Sequence, residues 1–323
     1  MPDMGVRYYH TAEMSLRNIQ AIAKGESRRA KKSGKKVEPV GLQHYTQDNY
    51  VTDKVLNMDR KPETQRGGKG FIHGSSLINL CERMCCIRNT VDTKSVKVPK
   101  SCDRLVWAIG RAVEHHIRIQ FIAAVGGSSI LARWKCMCGK THSDGFLSSN
   151  PVCCKKCLQP VKNFSELPLF DYTSLIVGNS DLIYLRPDNN KFRVNEIKSM
   201  NKKQFDALTQ PMADHIWQAL IYRRLLKINE MDVDDTVAII YGCKDYSFKG
   251  LPYKEYTIDA TEDWREKQLD KFWEMADRVK AFAADRKLDK PKLSIPPITL
   301  CGHADCTRAK ECPVGSICFS LKK

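Results

Sequence analysis

Asp181, Glu196 and Lys198 are the residues whose types and spacing are best suited to chemistry. Glu196 and Lys198 lie two residues apart in a run rich in apolar and β-branched residues, so in a strand both side chains leave the same face. Asp181 opens the preceding run of this kind, and a hairpin can bring its carboxylate beside that of Glu196. Two adjacent carboxylates repel each other, and a hard divalent cation such as Mg²⁺ or Mn²⁺ offsets that repulsion. The pattern therefore predicts a divalent-cation site on a β-sheet.

Two predicted helices, one on each side of these strands in the sequence, carry further polar side chains. Gln218 and Tyr222 have i, i+4 spacing on one helix, so both can face a common target. The other helix contains Gly110-Arg-Ala-Val-Glu114-His115, whose small residues allow a close approach to the sheet, and either Glu114 or His115 can supply a further metal ligand. Each piece alone has an ordinary structural explanation, because short motifs often occur by chance. Their joint occurrence in this order indicates a functional site.

The elements that must position these residues follow from apolar periodicity and from turn residues. Helices are predicted from a cap at Ser75 or Ser76 to Asn89, from a cap at Asp103 to Val125, from Met212 to Lys227 and from Glu262 to Arg286; strands are predicted at SLIVG, DLIYLR, FRVNEIK, VAIIYG and YKEYTI. This order of helix, strands, helix, strand and helix predicts an α/β fold built on one mixed central sheet flanked by helices.

Thirteen of the fourteen cysteines are concentrated in three segments, and only Cys243 stands apart, in an apolar run that suggests a small core residue. Clustering of this kind favours metal ligation over disulfides in an intracellular protein. The middle segment has two tight cysteine pairs, the arrangement that a tetrahedral structural zinc site in a zinc ribbon requires. The predicted zinc ligands are Cys136, Cys138, Cys154 and Cys157, with Cys153 and His142 as alternatives.

The charge balance points to a polyanionic partner. Lys and Arg exceed Asp and Glu by 53 to 37, a formal net charge of +16, which favours nucleic acid. Lys24–Lys36 contains seven basic residues and one acidic residue, so residues 1–68 are predicted to be a disordered basic tail. No apolar run reaches the roughly 18 residues that a membrane span needs, and the N-terminus lacks a secretory signal. A cytoplasmic protein, in the host cytoplasm if viral, with no membrane partner is expected.

The motifs taken together resemble the RecB-like branch of the PD-(D/E)XK nuclease superfamily. Its order of Gly-x-x-x-Glu/His, Gly-x-x-Asp, Glu-x-Lys and Gln-x-x-x-Tyr is matched over residues 110–114, 178–181, 196–198 and 218–222. Within that branch the chain looks most like the CRISPR-associated iron–sulfur exonucleases and their phage-encoded relatives, over residues 75–320. The resemblance implies a restriction-endonuclease-like core and hydrolysis of DNA, single-stranded or at duplex ends.

The same resemblance implies a role for each matched residue. Lys198 orients the attacking water and stabilises the transition state, while Gln218 and Tyr222 position DNA or the Lys198 side chain. One or two Mg²⁺ or Mn²⁺ ions activate the water and offset the charge of the scissile phosphate. The implied ligands of these ions are Asp181, Glu196, the Ile197 carbonyl and either Glu114 or His115.

The resemblance also implies a [4Fe–4S] cluster, for which the family places one cysteine before the nuclease core and three after it. Cys81 matches the leading cysteine, and the closing three are matched by Cys306, Cys312 and Cys318. Cys301 is a fourth thiol in the same closing segment. A second Zn²⁺ bound by Cys301, Cys306, Cys312 and Cys318 is therefore the alternative.

The expected organisation is a basic segment at 1–68, a nuclease core at 69–131 and 161–298, a zinc-ribbon insertion at 132–160 and a cysteine cluster at 299–323. The expected activity is that of a metal-dependent DNA exonuclease or end-processing enzyme. Two alternatives remain open: a non-catalytic nucleic-acid-binding zinc protein, and an endonuclease on the same fold.

Overall fold

The computed structural model describes residues 70–78, 81–90, 101–136, 138, 141–142, 154, 157–158, 163–245, 252–288, 292–312 and 314–321. All of them belong to one compact unit, Lys61–Lys323. The basic tail predicted for residues 1–68 lies outside the described residues. None of the described helices combines the length and apolarity that a membrane span requires.

The elements follow one another in the order of the chain. They are β1 (Ile72–His73), α1 (Gly74–Leu77), α2 (Glu82–Thr90), α3 (Ser101–Val125), β2 (Ile130–Leu131), β3 (Arg133–Lys135), β4 (Thr141–His142), β5 (Asn163–Ser165), β6 (Leu167–Asp171), β7 (Ile176–Ser180), β8 (Leu182–Leu185), β9 (Phe192–Met200), α4 (Lys202–Ala207), α5 (Ala213–Ile228), β10 (Thr236–Cys243), β11 (Tyr253–Asp259), α6 (Asp263–Asp285), α7 (Thr307–Glu311) and α8 (Gly315–Cys318).

The central sheet has five strands in the order β11-β10-β9-β8-β2. Strands β9 and β10 are parallel and the other neighbours are antiparallel, so the sheet is mixed. The hairpin between β8 and β9 closes through a turn in which Asn190 adopts a left-handed conformation with φ 57°, as asparagine tolerates better than most residues. Strand β10 is buried along nearly its whole length, as its continuous apolar sequence requires in the middle of a sheet covered on both faces.

A second, three-stranded sheet has the order β1-β7-β6. Strand β7 ends at Ser180 and β8 begins at Leu182. The chain therefore passes from one sheet to the other at a single residue, Asp181.

Helices cover both faces of the central sheet. On one face α3 packs against β9 and β10, and Ile117 lies in one apolar cluster with Ile197 and Ile240. On the other face α5 packs against the same strands, and Ile216 contacts the cluster that contains Ile239. Because Glu196 and Lys198 alternate with Ile197 along β9, their side chains leave on the α5 face.

Two further modules attach to this core. Strands β4, β3 and β5 form a small sheet in that order, and Trp134 and Cys136 belong to the same apolar cluster as Ile117 and Leu182. The long helix α6 packs on α2, and Phe272 and Val279 on α6 share the main core with residues of α2 and of the C-terminal segment.

The expected α/β fold with a mixed central sheet flanked by helices is confirmed. Three expected details are wrong. The described residues form three sheets and not one. The helix predicted from Ser75 to Asn89 is two helices, with Cys81 in the break before α2. Helix α3 begins at Ser101, two residues before the predicted cap at Asp103, and ends as predicted before Gly126, whose φ is 86°.

Candidate active site and cysteine clusters

Asp181 is fixed at the junction of the two sheets by contacts to its carboxylate and its backbone. Its Oδ2 accepts the backbone N–H of Ile197 at 2.9 Å. Its carbonyl oxygen accepts Arg118 Nε at 3.0 Å, and its Oδ1 lies 3.6 Å from Arg118 Nη2. The carboxylate is therefore held against β9, directly beside Glu196.

Glu196 is fully buried, and its Oε1 accepts a hydrogen bond from Lys198. Its Oε2 is also buried and has no hydrogen-bond partner in the described part of the chain. Burial, and then the charge of Asp181, raise the pKa of Glu196 well above its ordinary value. Burial alone would lower the pKa of Lys198, but the carboxylates of Glu196 and Asp181 raise it, so the ammonium stays charged. Asp181, Glu196 and Lys198 thus form a charged corner in which one carboxylate oxygen, Glu196 Oε2, lacks a donor among the described residues.

Glu114 approaches this corner from the opposite face of β9. Its Oε1 accepts Ser199 Oγ at 2.9 Å, and burial followed by the charge of Asp181 raises its pKa. His115, the alternative ligand, is exposed. Among the described residues, the only group of three or more ligand side chains with mutual distances within 4.8 Å consists of cysteines. Glu114 thus lies near Asp181 and Lys198 without closing a three-carboxylate group in the described part of the chain.

Gln218 and Tyr222 contact each other, because Gln218 Nε2 donates to Tyr222 Oη at 2.9 Å. Tyr222 is a buried core residue, 1% exposed. Its ring lies against Gly178, where a Cβ atom would come within 2.3 Å of Tyr222 Cε1. The glycine of the Gly-x-x-Asp motif therefore allows the tyrosine ring to lie against the strand that leads to Asp181. Tyr222 anchors Gln218, and only Gln218 is partly accessible.

The structure adds residues that the sequence reasoning missed. Arg118 contacts Asp181 and follows Glu114 by one helical turn, a spacing that could have drawn attention to it. His215 lies three residues before Gln218 on α5, and its Nδ1 is 2.9 Å from Tyr241 Oη. Burial and the charge of Lys198 lower the pKa of His215 to about 4, so it is neutral at physiological pH.

The corner suits a hard divalent cation. Carboxylate oxygens from Asp181 and Glu196 lie side by side, one of them buried without a donor, and such oxygens are the preferred ligands of Mg²⁺ and Mn²⁺. The Ile197 carbonyl belongs to the same strand, and Lys198 supplies a cationic donor next to the carboxylates. These groups can hold a cation and place a charged donor near a bound anion.

The four cysteines of the ribbon lie together. Cys136 Sγ is 3.3 Å from Cys157 Sγ, and Cys138 Sγ is 3.6 Å from Cys154 Sγ. All four sulfur atoms lie within 4.8 Å of one another. Tetrahedral Zn²⁺ with Zn–S bonds of about 2.3 Å requires sulfur separations of about 3.8 Å. The cluster can therefore hold one metal ion. The alternative ligand Cys153 lies outside the described residues.

The C-terminal cysteines form a looser group around one small cavity. It is lined by Cys81, Cys301, Cys312 and Cys318. Burial, and then the thiols of Cys312 and Cys318, raise the pKa of Cys81. Cys306 is the N-cap of α7, where its Sγ accepts the backbone N–H of Ala309 at 3.4 Å. In the described part of the chain these thiols do not form a group as compact as that of the ribbon cysteines.

Arg83, two residues after Cys81, is buried beside this group at 4% exposure. Its Nε donates to Cys318 Sγ at 3.2 Å, and its other nitrogens donate to the carbonyl oxygens of Pro296, Cys318 and Leu321 at 2.6 to 3.0 Å. Among the described residues, the partners of this guanidinium are thus one thiol and three carbonyl oxygens, and none is a carboxylate. Because a buried cation is costly without an anion, a negative charge at the cysteine group would offset it.

No protein-family model matches the chain, and no curated protein matches its sequence. Several solved structures are distantly similar, among them the following two. The alkaline exonuclease LHK-Exo from Laribacter hongkongensis is 14% identical with a TM-score of 0.37, over 68% of this chain and 89% of that one. The protein SSO0001 is 13% identical with a TM-score of 0.40, over 84% of this chain and 98% of that one. At these TM-scores neither likeness carries an argument about activity, and the functional conclusion rests on the geometry of the site.

Proposed function

We propose that this chain is a metal-dependent deoxyribonuclease with a PD-(D/E)XK catalytic site. The observation that carries the proposal is the corner where Asp181, Glu196 and Lys198 meet, with Glu196 Oε2 buried and without a donor in the described residues. A buried carboxylate oxygen is seldom left unpaired unless a cation completes its surroundings. The formal charge of +16 suits a polyanionic substrate.

Each residue of the site has its own part in phosphodiester hydrolysis. Asp181, Glu196 and the Ile197 carbonyl would hold the cation, with Glu114 of α3 as a further carboxylate, whereas the exposed His115 is not included. When bound, the cation offsets charge on the scissile phosphate and lowers the pKa of water at the site. Lys198, kept charged by its neighbours, orients that water and stabilises the charge that develops on the phosphate.

Gln218 acts on the side of β9 to which Lys198 points. Tyr222 fixes it by a hydrogen bond and is itself immobilised against Gly178. We infer that Gln218 positions the Lys198 ammonium or a DNA phosphate, and that Tyr222 acts through Gln218. A buried tyrosine cannot contact DNA directly.

The test is cleavage of end-labelled linear DNA and closed circular DNA with Mg²⁺ or Mn²⁺. We expect the wild type to degrade linear DNA from its ends and to leave circular DNA intact. Glu196→Gln and Lys198→Ala should abolish cleavage while binding to DNA continues, since affinity depends mainly on phosphate contacts. Lys227→Ala, an exposed lysine near the end of α5, is the matched control. Cleavage by Lys198→Ala at the wild-type rate would show that the assignment of the active site is wrong.

Two other functions give different results in the same assay. A non-catalytic nucleic-acid-binding zinc protein is favoured by the four-cysteine cluster, which needs no catalytic site; it would bind DNA but show no cleavage that depends on Glu196. An endonuclease on the same fold would cut circular DNA as readily as linear DNA.

We further propose Zn²⁺ at Cys136, Cys138, Cys154 and Cys157, and a [4Fe–4S] cluster at the C-terminal group. The sulfur separations of the ribbon suit one zinc ion. The wider C-terminal group, with the unpaired guanidinium of Arg83 beside it, suits a larger anionic cluster. Three of the cluster ligands are the same in either case: Cys81, Cys312 and Cys318. The fourth is either Cys306, as the sequence predicts, or Cys301, which lines the cavity.

Purification without oxygen tests the metal content. The protein should be brown, contain iron and sulfide beside one zinc, and lose its colour on Cys81→Ala. Cys301→Ser and Cys306→Ser decide the fourth ligand, because only one of them should bleach the protein. A colourless protein with two zinc ions that tolerates Cys81→Ala would instead have a local zinc site at Cys301, Cys306, Cys312 and Cys318.

A further inference from the structure

The cysteine ribbon consists of the small sheet β4-β3-β5 and the four clustered cysteines. Arg118 joins this ribbon to the carboxylate of Asp181 at the junction of the other two sheets. We propose that it is a positioning residue through which the ribbon sets the orientation of Asp181, and so the affinity of the active site for its divalent cation. The proposal rests on the proposed function, because it needs Asp181 to be a cation ligand. It assigns the ribbon a role in catalysis beyond local stability.

On the active-site side, Arg118 contacts both the backbone carbonyl and the carboxylate of Asp181. Its Nε donates to the carbonyl oxygen of Asp181 at 3.0 Å, and its Nη2 lies 3.6 Å from Asp181 Oδ1. The other carboxylate oxygen is fixed by the N–H of Ile197. Asp181 itself belongs to neither sheet. The orientation of Asp181 therefore depends on these side-chain and backbone contacts, because the residue takes no part in strand pairing.

On the ribbon side, the same guanidinium rests on residues of β5 and its end. It lies over the ring of Phe164, 4.7 Å from the centroid, and Nη2 donates to Glu166 Oε1 at 3.2 Å. Glu166 is held in turn by Arg133 of β3, whose Nε donates to its carbonyl at 3.1 Å. The side chain of Arg118 is only 12% exposed. The side chain of Glu166 is 36% exposed, so water partly screens this contact.

The ribbon holds Phe164 through the residue next to its metal ligands. Phe164 pairs with Trp134 across β3 and β5, and the two rings meet edge to face with centroids 5.9 Å apart. Trp134 precedes Cys136 by two residues, and both are buried in one cluster. A metal ion that ties Cys136 to Cys157 therefore orders β3 and β5, and with them the surface on which Arg118 lies.

The expected effect follows from how metal sites depend on the groups behind their ligands. Loss of such a supporting contact typically costs about 10- to 100-fold in metal affinity. The charge of Arg118 acts in the opposite direction, because a cation near Asp181 repels a second cation. If positioning dominates, removal of Arg118 weakens cation binding; if repulsion dominates, it tightens binding. The two effects therefore predict opposite changes in cation affinity.

The experiment measures Mn²⁺ binding to the DNA-free protein by electron paramagnetic resonance of the free ion. Glu196→Gln first identifies the active-site binding, which it should remove. Arg118→Ala should raise the Mn²⁺ dissociation constant on the order of 10-fold or more, while Arg111→Ala, an exposed arginine of the same helix, should leave it unchanged. Arg118→Lys, which keeps the charge and one donor, should show a smaller effect and serves if the alanine variant does not fold.

Phe164→Ala tests the connection to the ribbon without touching a metal ligand, and zinc content confirms that the ribbon is still loaded. It should weaken Mn²⁺ binding in the wild type but add little in the Arg118→Ala background, because both changes break one connection. Unchanged or tighter Mn²⁺ binding by Arg118→Ala overturns the positioning role. Additive effects of the two substitutions overturn the link to the ribbon. Absence of any Glu196-dependent Mn²⁺ binding in the wild type overturns the proposed function itself, and the coupling with it.

Discussion

Gly178→Ala is expected to damage both the stability and the active site, through the ring of Tyr222. A Cβ atom at residue 178 would lie 2.3 Å from Tyr222 Cε1 and 2.8 Å from Cδ1, far closer than carbon atoms approach without strain. Tyr222 is 1% exposed, so its ring cannot swing into solvent to make room. Either β7 or the tyrosine ring has to shift.

The size of the effect follows from the depth of that overlap. Forcing one extra methyl group into a closely packed interior typically costs about 1–3 kcal/mol, and here we expect about 2 kcal/mol. For a domain of this size that lowers Tm by on the order of 5 °C. A shift of the ring also moves Tyr222 Oη, which holds Gln218 at 2.9 Å. Misplacement of a positioning group by about 1 Å reduces kcat by up to about 100-fold.

Thermal denaturation and the cleavage rate on linear DNA measure the two effects. Gly302→Ala is the control, because a Cβ at residue 302 meets nothing within 4 Å. Tyr222→Leu removes the ring, so the double variant Gly178→Ala/Tyr222→Leu should cost less than the sum of the single variants. If Gly178→Ala melts and cleaves like Gly302→Ala, the tyrosine ring does not lie where this reasoning requires it.

Further substitutions test other parts of the molecule. Arg83→Met leaves buried carbonyl oxygens without a donor and should lower the free energy of unfolding by about 3 kcal/mol, with loss of iron from anaerobically purified protein. Trp273→Phe removes a 2.8 Å bond to the buried Asp171 and should cost about 2 kcal/mol, seen as a lower Tm. His215 has a folded pKa of about 4 against 6.5 ordinarily, so the unfolded chain binds its proton first and the wild type loses stability as pH falls from 6.5 to 4. His215→Gln should remove this decrease in the free energy of unfolding, about 1–2 kcal/mol after allowance for partial exposure, as measured by urea titrations at each pH. Deletion of residues 1–60 should flatten the salt dependence of DNA binding, measured by titration at several salt concentrations, and leave cleavage by the remaining chain.

The strands around the active site could be predicted from the sequence because their composition allows little else. The β-branched runs that contain Asp181 and Glu196 fall on β8 and β9 within a few residues, and they pair as the expected hairpin. Alternation along β9 places Glu196 and Lys198 on one face, as two-residue periodicity requires. The tight pairs Cys136/Cys138 and Cys154/Cys157 likewise leave few arrangements other than one shared site.

Features that depend on contacts distant in sequence could not be predicted. The contact between Arg118 and Asp181 joins positions 63 residues apart, and no local pattern encodes it. The face from which Glu114 approaches β9 depends on how α3 packs on the sheet, a tertiary property. The division into two sheets at Asp181 is equally invisible, since the run from β7 to β8 reads as two strands of a single sheet.

The burial of Tyr222 also depends on a contact that is distant in sequence. Spacing i, i+4 puts Gln218 and Tyr222 on one helix face, and the structure agrees. The sequence could not tell how deep that face lies, because the room for the tyrosine ring comes from Gly178 on strand β7.

The packing of α2 has a consequence for the order in which the molecule can fold during synthesis. Its buried side chains share a core with Phe272 and Val314, and Arg83 bonds to the carbonyl of Leu321. The strand that carries Glu196 is synthesised more than a hundred residues before Leu321. A nascent chain can therefore contain every proposed catalytic residue while its core is still open on one side. Such long-range closure slows folding, so we expect this core to assemble only after Leu321 has been synthesised.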